Sequence, residues 1–355
     1  MNILAIETSC DETAASVVEI SPRSGGGDAI RVRSNAISSQ VALHEQYGGV
    51  VPALAAREHA ANVGPVVEQA LRDANQTAPV DLIAVTRGPG LAPALLVGLT
   101  FARTLAWKWS VPLVGVDHMD GHIHSNWLPP SEGDAQLPDF PLLNLVVSGG
   151  HTDLVLMRDH GTYEIIGETK DDAVGEAFDK VARLLGLSYP GGPKVSTLAR
   201  AGDPARYTLP RPMLKADTFD FSYSGLKTAV LYLIRDITGS TRELTEQEKA
   251  DIAASFQEAA VDVLVQKAIR AATQHQVRAI LLSGGVSANT LLRQRLDVAC
   301  RENNLQCVLP ELRYTTDNAA MIAVAGYFAY AASGATPWEH LAMDANLRLG
   351  QNTTT

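Results

Sequence analysis

One order of elements occurs twice along this chain, and it limits the folds open to it. Strand patterns at Ile3–Glu7, Ala14–Ile20 and Arg31–Ser39 come first, the first two joined by the polar turn Thr8-Ser9-Cys10-Asp11-Glu12-Thr13. A helix follows over Glu58–Ala74, then a strand at Val80–Thr86, a break at Arg87-Gly88-Pro89-Gly90, a helix over Leu95–Trp109 and a strand at Val111–Val116. The pattern then restarts. Leu142–Ser148, Thr152–Met157 and Tyr163–Gly167 read as strands, with Gly149-Gly150-His151 turning between the first two. A helix at Ala173–Gly186 and a long helix over Thr245–His275 follow, the latter opened by Thr245 with Glu248 three later, a capping box. A strand at Arg278–Ser283, a helix at Asn289–Asn303, a strand at Gln306–Leu309 and a helix at Asp317–Ala332 close the series. Hairpin strands followed by α/β alternation predict a mixed sheet covered by helices, here duplicated as two βββαβα lobes. The proline-rich stretch Leu128–Pro141 reads as the connection. The expected lobes are residues 1–137, to which a tail of about 334–355 returns, and 138–333, with a helical insertion at about 194–241.

Two lobes with a cleft between them describe the actin-like ATPase (ASKHA) architecture, an analogy that gives fold and no function. Composition narrows the function classes. The net charge of −10, without a long basic block, argues against autonomous, nonspecific nucleic-acid binding. A local basic patch remains open, with Lys194, Lys227, Arg293 and Arg295 as candidates. The three cysteines, Cys10, Cys300 and Cys307, form no Cys-x-x-Cys pair, so neither a disulfide framework nor a cysteine-rich zinc site is expected. No apolar stretch reaches the roughly 18 residues of a membrane span, and the chain runs from Met1 straight into a strand without a signal peptide. The expected location is the cytoplasm, with no membrane partner.

Chemistry concentrates where strands end. After Val111–Val116, Asp117 is a good helix cap, and His118 and His122 follow four residues apart, on one face of a helix. Two imidazoles so placed suit a transition metal; the plain alternative is a capping and surface-facing pair. Met119 stands where a metalloprotease helix needs its general-base Glu, so protease chemistry is not expected. His124 reads as an ordinary polar residue. Ser148-Gly149-Gly150-His151-Thr152 and Ser283-Gly284-Gly285-Val286-Ser287-Ala288-Asn289 each follow a buried strand, where glycine lets backbone approach a ligand. Asn289 is placed for a sugar hydroxyl or base, and Asp179, near Gly191-Gly192-Pro193, for a sugar hydroxyl. Asp179 otherwise reads as half of a charge pair with Lys180. No Walker A loop or Gly-x-Gly-x-x-Gly fingerprint occurs. Asp317 is either the cap of the last helix or a hard oxygen ligand completing a His-His-Asp site, and spacing does not choose.

Ile6 through Thr13, the His118–His122 segment, Val147–Thr152, Asp171-Asp172-Ala173 through Lys180, Tyr189–Pro193, Ser222–Thr228, Gly284–Asn289 and Thr316–Ala323 together resemble the tRNA N6-adenosine threonylcarbamoyltransferase family, in its bacterial TsaD type. The resemblance covers nearly the whole chain. It implies a two-lobed actin-like fold. It implies transfer of threonylcarbamoyl from threonylcarbamoyl-AMP to N6 of adenosine 37, forming t6A, in tRNAs that read codons beginning with A. It implies one iron or zinc ion in the interlobe cleft, held by His118, His122 and Asp317. The adenylate would lie against Val146, Val147, Ser148, Gly149, Gly150, Asp179, Gly192 and Asn289. The implied partners are tRNA, an inactive paralogue of TsaB type as heterodimer partner, and a small ATPase of TsaE type. Asp11 and Glu12 are candidates for taking the N6 proton, without a choice between them. The family's His-His-Met-Glu-Gly-His reads Asp117-His118-Met119-Asp120-Gly121-His122 here, and Thr315 stands where a Cys is common. Two rival classes are a sugar kinase or ATPase on the actin-like fold, which would use Mg²⁺ and a catalytic Asp without a His pair, and a nucleotide-binding scaffold with a structural His pair.

Overall fold

A computed structural model describes residues 1–22, 27–77, 79–130, 138–239 and 242–350. Its first elements are β1 (Asn2–Glu7), β2 (Glu12–Pro22), β3 (Asp28–Ser39), α1 (Val41–Glu45), α2 (Pro52–Asp73), β4 (Leu82–Gly88), α3 (Ala92–Trp109), β5 (Leu113–Asp117) and α4 (His118–His124). Next come β6 (Leu142–Val147), β7 (Thr152–Asp159), β8 (Thr162–Glu168), α5 (Val174–Leu184), α6 (Gly191–Ala199), α7 (Ser224–Thr238) and α8 (Glu246–Gln274). The series ends with β9 (Ala279–Ser283), α9 (Thr290–Glu302), β10 (Gln306–Val308) and α10 (Ala319–Ser333).

The strands form two sheets, β3-β2-β1-β4-β5 and β8-β7-β6-β9-β10. β1 pairs antiparallel with β2 and parallel with β4; β6 pairs antiparallel with β7 and parallel with β9. The two sheets therefore share one strand order, and the fold is the duplicated actin-like one. Alternation along β1 shows why its run is apolar throughout. Ile3 and Ala5 pack into the cluster that includes α10, whereas Leu4 and Ile6 face the cluster of α2 and α3.

The chain divides into two compact units, Met1–Leu137 with Asp159–Tyr163 and Pro310–Thr355, and Pro138–Arg158 with Glu164–Leu309. This corrects the expected second lobe of 138–333, because 159–163 and 310–333 belong to the first unit. The reason lies in α10, whose opening residues Ala319 to Gly326 are buried on every side. Its small residues let it lie against β1, β2, β4, β5 and α4. A Cβ added at Gly326 would stand 2.6 Å from that of Ala84.

In the second unit, Leu143, Leu145 and Val147 of β6 pack on the cluster formed with α5 and α8. There Phe178 and Phe256 meet edge to face at 4.9 Å. The capping box at Thr245 and Glu248 is present as expected. The expected loop Tyr189–Pro193 is shorter than predicted, since α6 already begins at Gly191. Residues 131–137 of the expected connection, 240–241 of the insertion and 351–355 of the tail lie outside the described residues. No helix among the described residues is long and apolar enough to cross a membrane.

Candidate functional site

Asp117 ends β5 and caps α4, its carboxylate accepting from the N–H groups of Met119 at 2.8 Å and Asp120 at 3.4 Å. One turn of helix then sets the rings of His118 and His122 edge to face, 4.7 Å between centroids. Asp317 faces both: its Oδ1 lies 3.1 Å from His122 Nε2 and 3.5 Å from His118 Nε2. One donor atom from each of the three side chains falls within 4.8 Å of the others. Two imidazoles and a carboxylate converging in this way form a donor set that would suit a transition metal. The helix expected to start at Asp317 starts at Ala319, and its cap is Asn318, whose Oδ1 accepts from Met321 N–H at 3.0 Å. Asp317 is thereby left for the two histidines.

Glu7, fully buried at the end of β1, holds the site from behind. Its carboxylate accepts from Thr86 Oγ1 at 2.6 Å and from the Ser9 N–H at 2.5 Å, and it lies 3.0 Å from His118 Nδ1. Ser9 Oγ is 3.2 Å from the same ring nitrogen. A carboxylate on Nδ1 fixes the tautomer that leaves the Nε2 lone pair for a cation. Burial pushes His118 down, but Asp317 and then Glu7 outweigh it and raise the ring to about 9. Burial likewise pushes Asp317 up, and His118 and His122 outweigh it, holding the carboxyl at about 2. Burial raises Glu7, and the charge and hydrogen bond of His118 bring it below its ordinary value. A proton on His118 thus does electrostatically what a bound cation would do, and cation binding would release it. His122 Nδ1 is buried and has no hydrogen-bond partner among the described residues. The Nε2 atoms of both rings turn to the Asp317 carboxylate instead, and two imidazole nitrogens with a carboxylate oxygen are donors that suit a transition metal. The residues therefore fit a metal.

Asp11 and Glu12 sit on the β1–β2 turn. Asp11 is buried, and its carbonyl accepts from Gln40 N–H at 2.9 Å. Glu12 accepts from Ser39 Oγ at 3.0 Å. Burial, then Asp317 and Asp11, push Glu12 up to about 9. Neither residue joins the converging donor set.

The residues expected to meet the adenylate lie in the second unit. Val146 and Val147 are buried in β6, paired with Asp153 and Thr152 of β7. Ser148 Oγ accepts from His151 N–H at 3.0 Å and Gly150 N–H at 3.3 Å, tightening the turn. Gly149 and Gly150 are exposed, with nothing within 4 Å of an added Cβ. Gly284, at φ +86°, lies against the Val147 carbonyl, where a side chain would collide. Asp179 accepts from the N–H groups of Gly191 at 2.7 Å and Gly192 at 3.3 Å, supplying the first turn of α6 from another helix. Lys180 turns away from it to Asp172 at 2.6 Å and Glu176 at 2.9 Å, so the expected Asp179–Lys180 pair does not form. Asn289 caps α9 through Leu292 N–H at 3.0 Å and donates to Gln257 at 2.9 Å and Ser196 at 3.0 Å. Ser196 stands on α6, so Asp179, Gly192 and Asn289 all gather around that helix.

The family described as TsaD, tRNA N6-adenosine threonylcarbamoyltransferase, matches residues 31–324. The chain belongs to this threonylcarbamoyltransferase family. A tRNA N6-adenosine threonylcarbamoyltransferase of Bacillus cereus is 48% identical over 330 residues, 92% of this chain and 91% of that protein. That of Symbiobacterium thermophilum is 50% identical over 333 residues, 93% and 92% of the two chains. Among solved structures, full-length HypF in a phosphate- and nucleotide-bound form superposes with a TM-score of 0.58 at 13% identity, and T. kodakarensis HypF with 0.59 at 15%. Each covers 95% of this chain, which spans about half of either HypF chain, 47% and 49%. At that identity the likeness shows the fold alone.

Four residues, Glu7, Ser196, Gln257 and His124, take places that the sequence did not reveal. Glu7 left one signal: a carboxylate at the inner end of an otherwise apolar strand is costly unless it is paired. Ser196 lies four residues after Gly192, on the same face of α6. Gln257, in the middle of α8, left none. His124, read as ordinary and polar, is instead fully buried, with its Nδ1 3.0 Å from the Asp120 carbonyl and its Nε2 3.0 Å from His160 Nδ1.

Proposed function

We propose that this chain transfers the threonylcarbamoyl group of threonylcarbamoyl-AMP to N6 of adenosine 37 in tRNAs reading codons that begin with A. The observation that carries the reading is the convergence of His118, His122 and Asp317, backed by Glu7, in a chain of this family. The N6 nitrogen attacks the carbamoyl carbon; the new C–N bond forms, the carbon–oxygen bond to the phosphate breaks, AMP leaves, and N6 gives up one proton. The acyl group arrives already activated, so no Ser or Cys nucleophile is needed. N6 of adenine is a weak nucleophile, and orientation supplies much of the acceleration.

His118, His122 and Asp317 would hold one iron or zinc ion, a donor set that suits either. When bound, the ion supplies Lewis-acid or templating chemistry. Glu7 and Ser9 keep the His118 ring oriented for it. The open backbone of Ser148–Gly150 accommodates the adenylate phosphate, with Val146, Val147, Asp179, Gly192 and Asn289 around the nucleotide. Asp179 and Asn289 contribute by holding α6 in place as much as by direct contact. The partners are tRNA, an inactive TsaB-type paralogue and a small TsaE-type ATPase, in the cytoplasm. An acidic chain of net charge −10 gains from partners that help present an RNA substrate.

A single-turnover assay tests the proposal. The protein, with and without paralogue and ATPase, receives threonylcarbamoyl-AMP and a tRNA transcript, and nucleosides are read by mass spectrometry. Threonylcarbamoyladenosine that disappears when A37 is replaced supports the reading. No product with partners and metal restored rejects it.

A further inference from the structure

Asp120, the acid on the metal-bearing helix, takes no part in the chemistry above, yet it is tied on two sides. Its Oδ1 accepts from the hydroxyl of Tyr163 and lies 2.8 Å from His124 Nδ1. His124 continues the chain of contacts, its Nε2 3.0 Å from His160 Nδ1. The His160 ring stacks on Phe328 of α10, 3.5 Å between centroids and 7° from parallel. Trp127 closes the group, 4.9 Å from His124 and 5.2 Å from His160. Burial, and then His124, push His160 down to about 4, so its ring is neutral at neutral pH and its Nδ1–H can donate to His124.

Tyr163 and His160 come from one short stretch. Asp159–Tyr163, the turn of the β7–β8 hairpin with the last residue of β7 and the first two of β8, belongs to the first unit although the strand residues on either side of it do not. The turn touches two elements, α4 through Asp120 and His124, and α10 through Phe328. These are the elements that present the metal donors. His118 and His122 project from α4, and Asp317 immediately precedes the capping residue of α10. On α4, Asp120 and His124 are one turn apart, as His118 and His122 are, and each pair lies about 200° round the helix from the other. One pair faces the candidate metal, and the turn grips the other.

A seven-residue helix has little stability or fixed rotation of its own. Gly121 lets α4 approach α10 closely, an added Cβ standing 2.6 Å from Ile322 Cδ1. Close packing sets the separation of the two helices, but rotation of α4 about its axis needs a second hold. We propose that the Asp159–Tyr163 turn is that hold, a positioning clamp that fixes α4 against α10 so that His118, His122 and Asp317 converge. The proposal rests on the metal reading of those three residues.

The test uses the full chain with Co²⁺ as the probe, following its visible absorption and its affinity by chelator competition. Tyr163→Phe keeps the ring and removes only the hydroxyl. It should weaken Co²⁺ binding about 10-fold or more and change the visible band, while the metal-free protein keeps its far-UV circular dichroism. Asp120→Ala should do the same, and Asp120→Glu, which retains a carboxylate, should recover most of the affinity. A residue that merely supported the fold would lower the melting temperature and leave the Co²⁺ band alone. If Asp120→Ala fails to fold, Tyr163→Phe decides. Wild-type affinity and spectrum in Tyr163→Phe overturn the clamp and leave the metal reading intact. A wild-type chain that binds no stoichiometric Co²⁺, no better than His118→Ala, overturns both.

Discussion

The first strand of each sheet occupies the same place in the same strand order, yet β1 and β6 end in opposite chemistry. β1 runs into Glu7-Thr8-Ser9, where side chains fill the strand end: the buried Glu7 carboxylate accepts from the Ser9 N–H and from Thr86 and lies beside His118. β6 runs into Ser148-Gly149-Gly150, where the two glycines carry no side chain and are exposed. In the function proposed above, one topology would thus serve two modes of recognition. A cation needs negatively charged or lone-pair donors, which only side chains supply at this density. A phosphate needs backbone amides that nothing shields, and glycine clears the way to them. The shared strand order supplies two equivalent strand ends, and the residues at their tips set them apart.

Four changes would break or sharpen that contrast. His118→Ala should have the largest effect, reducing bound metal from about one ion to almost none and t6A formation by more than about 100-fold. Metal analysis and nucleoside mass spectrometry read both, and a metal-free variant with full activity would remove the distinction altogether. Gly284→Ala strikes the second unit, combining a φ of +86° with a collision at the Val147 carbonyl. It should cost about 2 kcal/mol in denaturant unfolding while the folded fraction keeps its metal. Glu7→Gln preserves shape and removes charge, and should weaken metal binding by about 10- to 100-fold in chelator competition with activity falling in step at limiting metal.

The smallest effect is a pH dependence. Glu12 is raised to about 9 by burial, then by Asp317 and Asp11. The folded state therefore holds this proton more tightly than the unfolded chain does. Its stabilising contribution is complete below the ordinary carboxylate pKa and is lost as pH rises toward 9. Metal-free Glu12→Gln, which mimics the protonated form, should lose less stability than wild type in melts between pH 5 and 9. Parallel curves would show that Glu12 feels no more field than a carboxylate in the second unit.

Much of this architecture was legible beforehand. Strands such as Leu142–Val147 announce themselves because both faces are buried and the whole run must be apolar. The cap at Thr245 was legible because a capping box is a local arrangement of neighbouring residues. The His118–His122 pair was legible because helical periodicity alone brings it together. The two roles of Asp317, cap or ligand, were not separable, since only the direction of the chain entering α10 passes the cap to Asn318. The role of His124 was hidden because its partners, His160 and Phe328, lie far along the chain.

By itself the sequence determined one order of elements used twice, the His pair on a helix and the glycine turns, all of which follow from local periodicity and backbone sterics. Only the tertiary structure decided that α10 returns to the first sheet. Its buried residues, Ala319 through Gly326, are apolar all round and have no preferred face, and hydrophobic burial has no direction. Packing against β1, β2, β4 and β5 selected the place, and in doing so it brought Asp317 to His118 and His122.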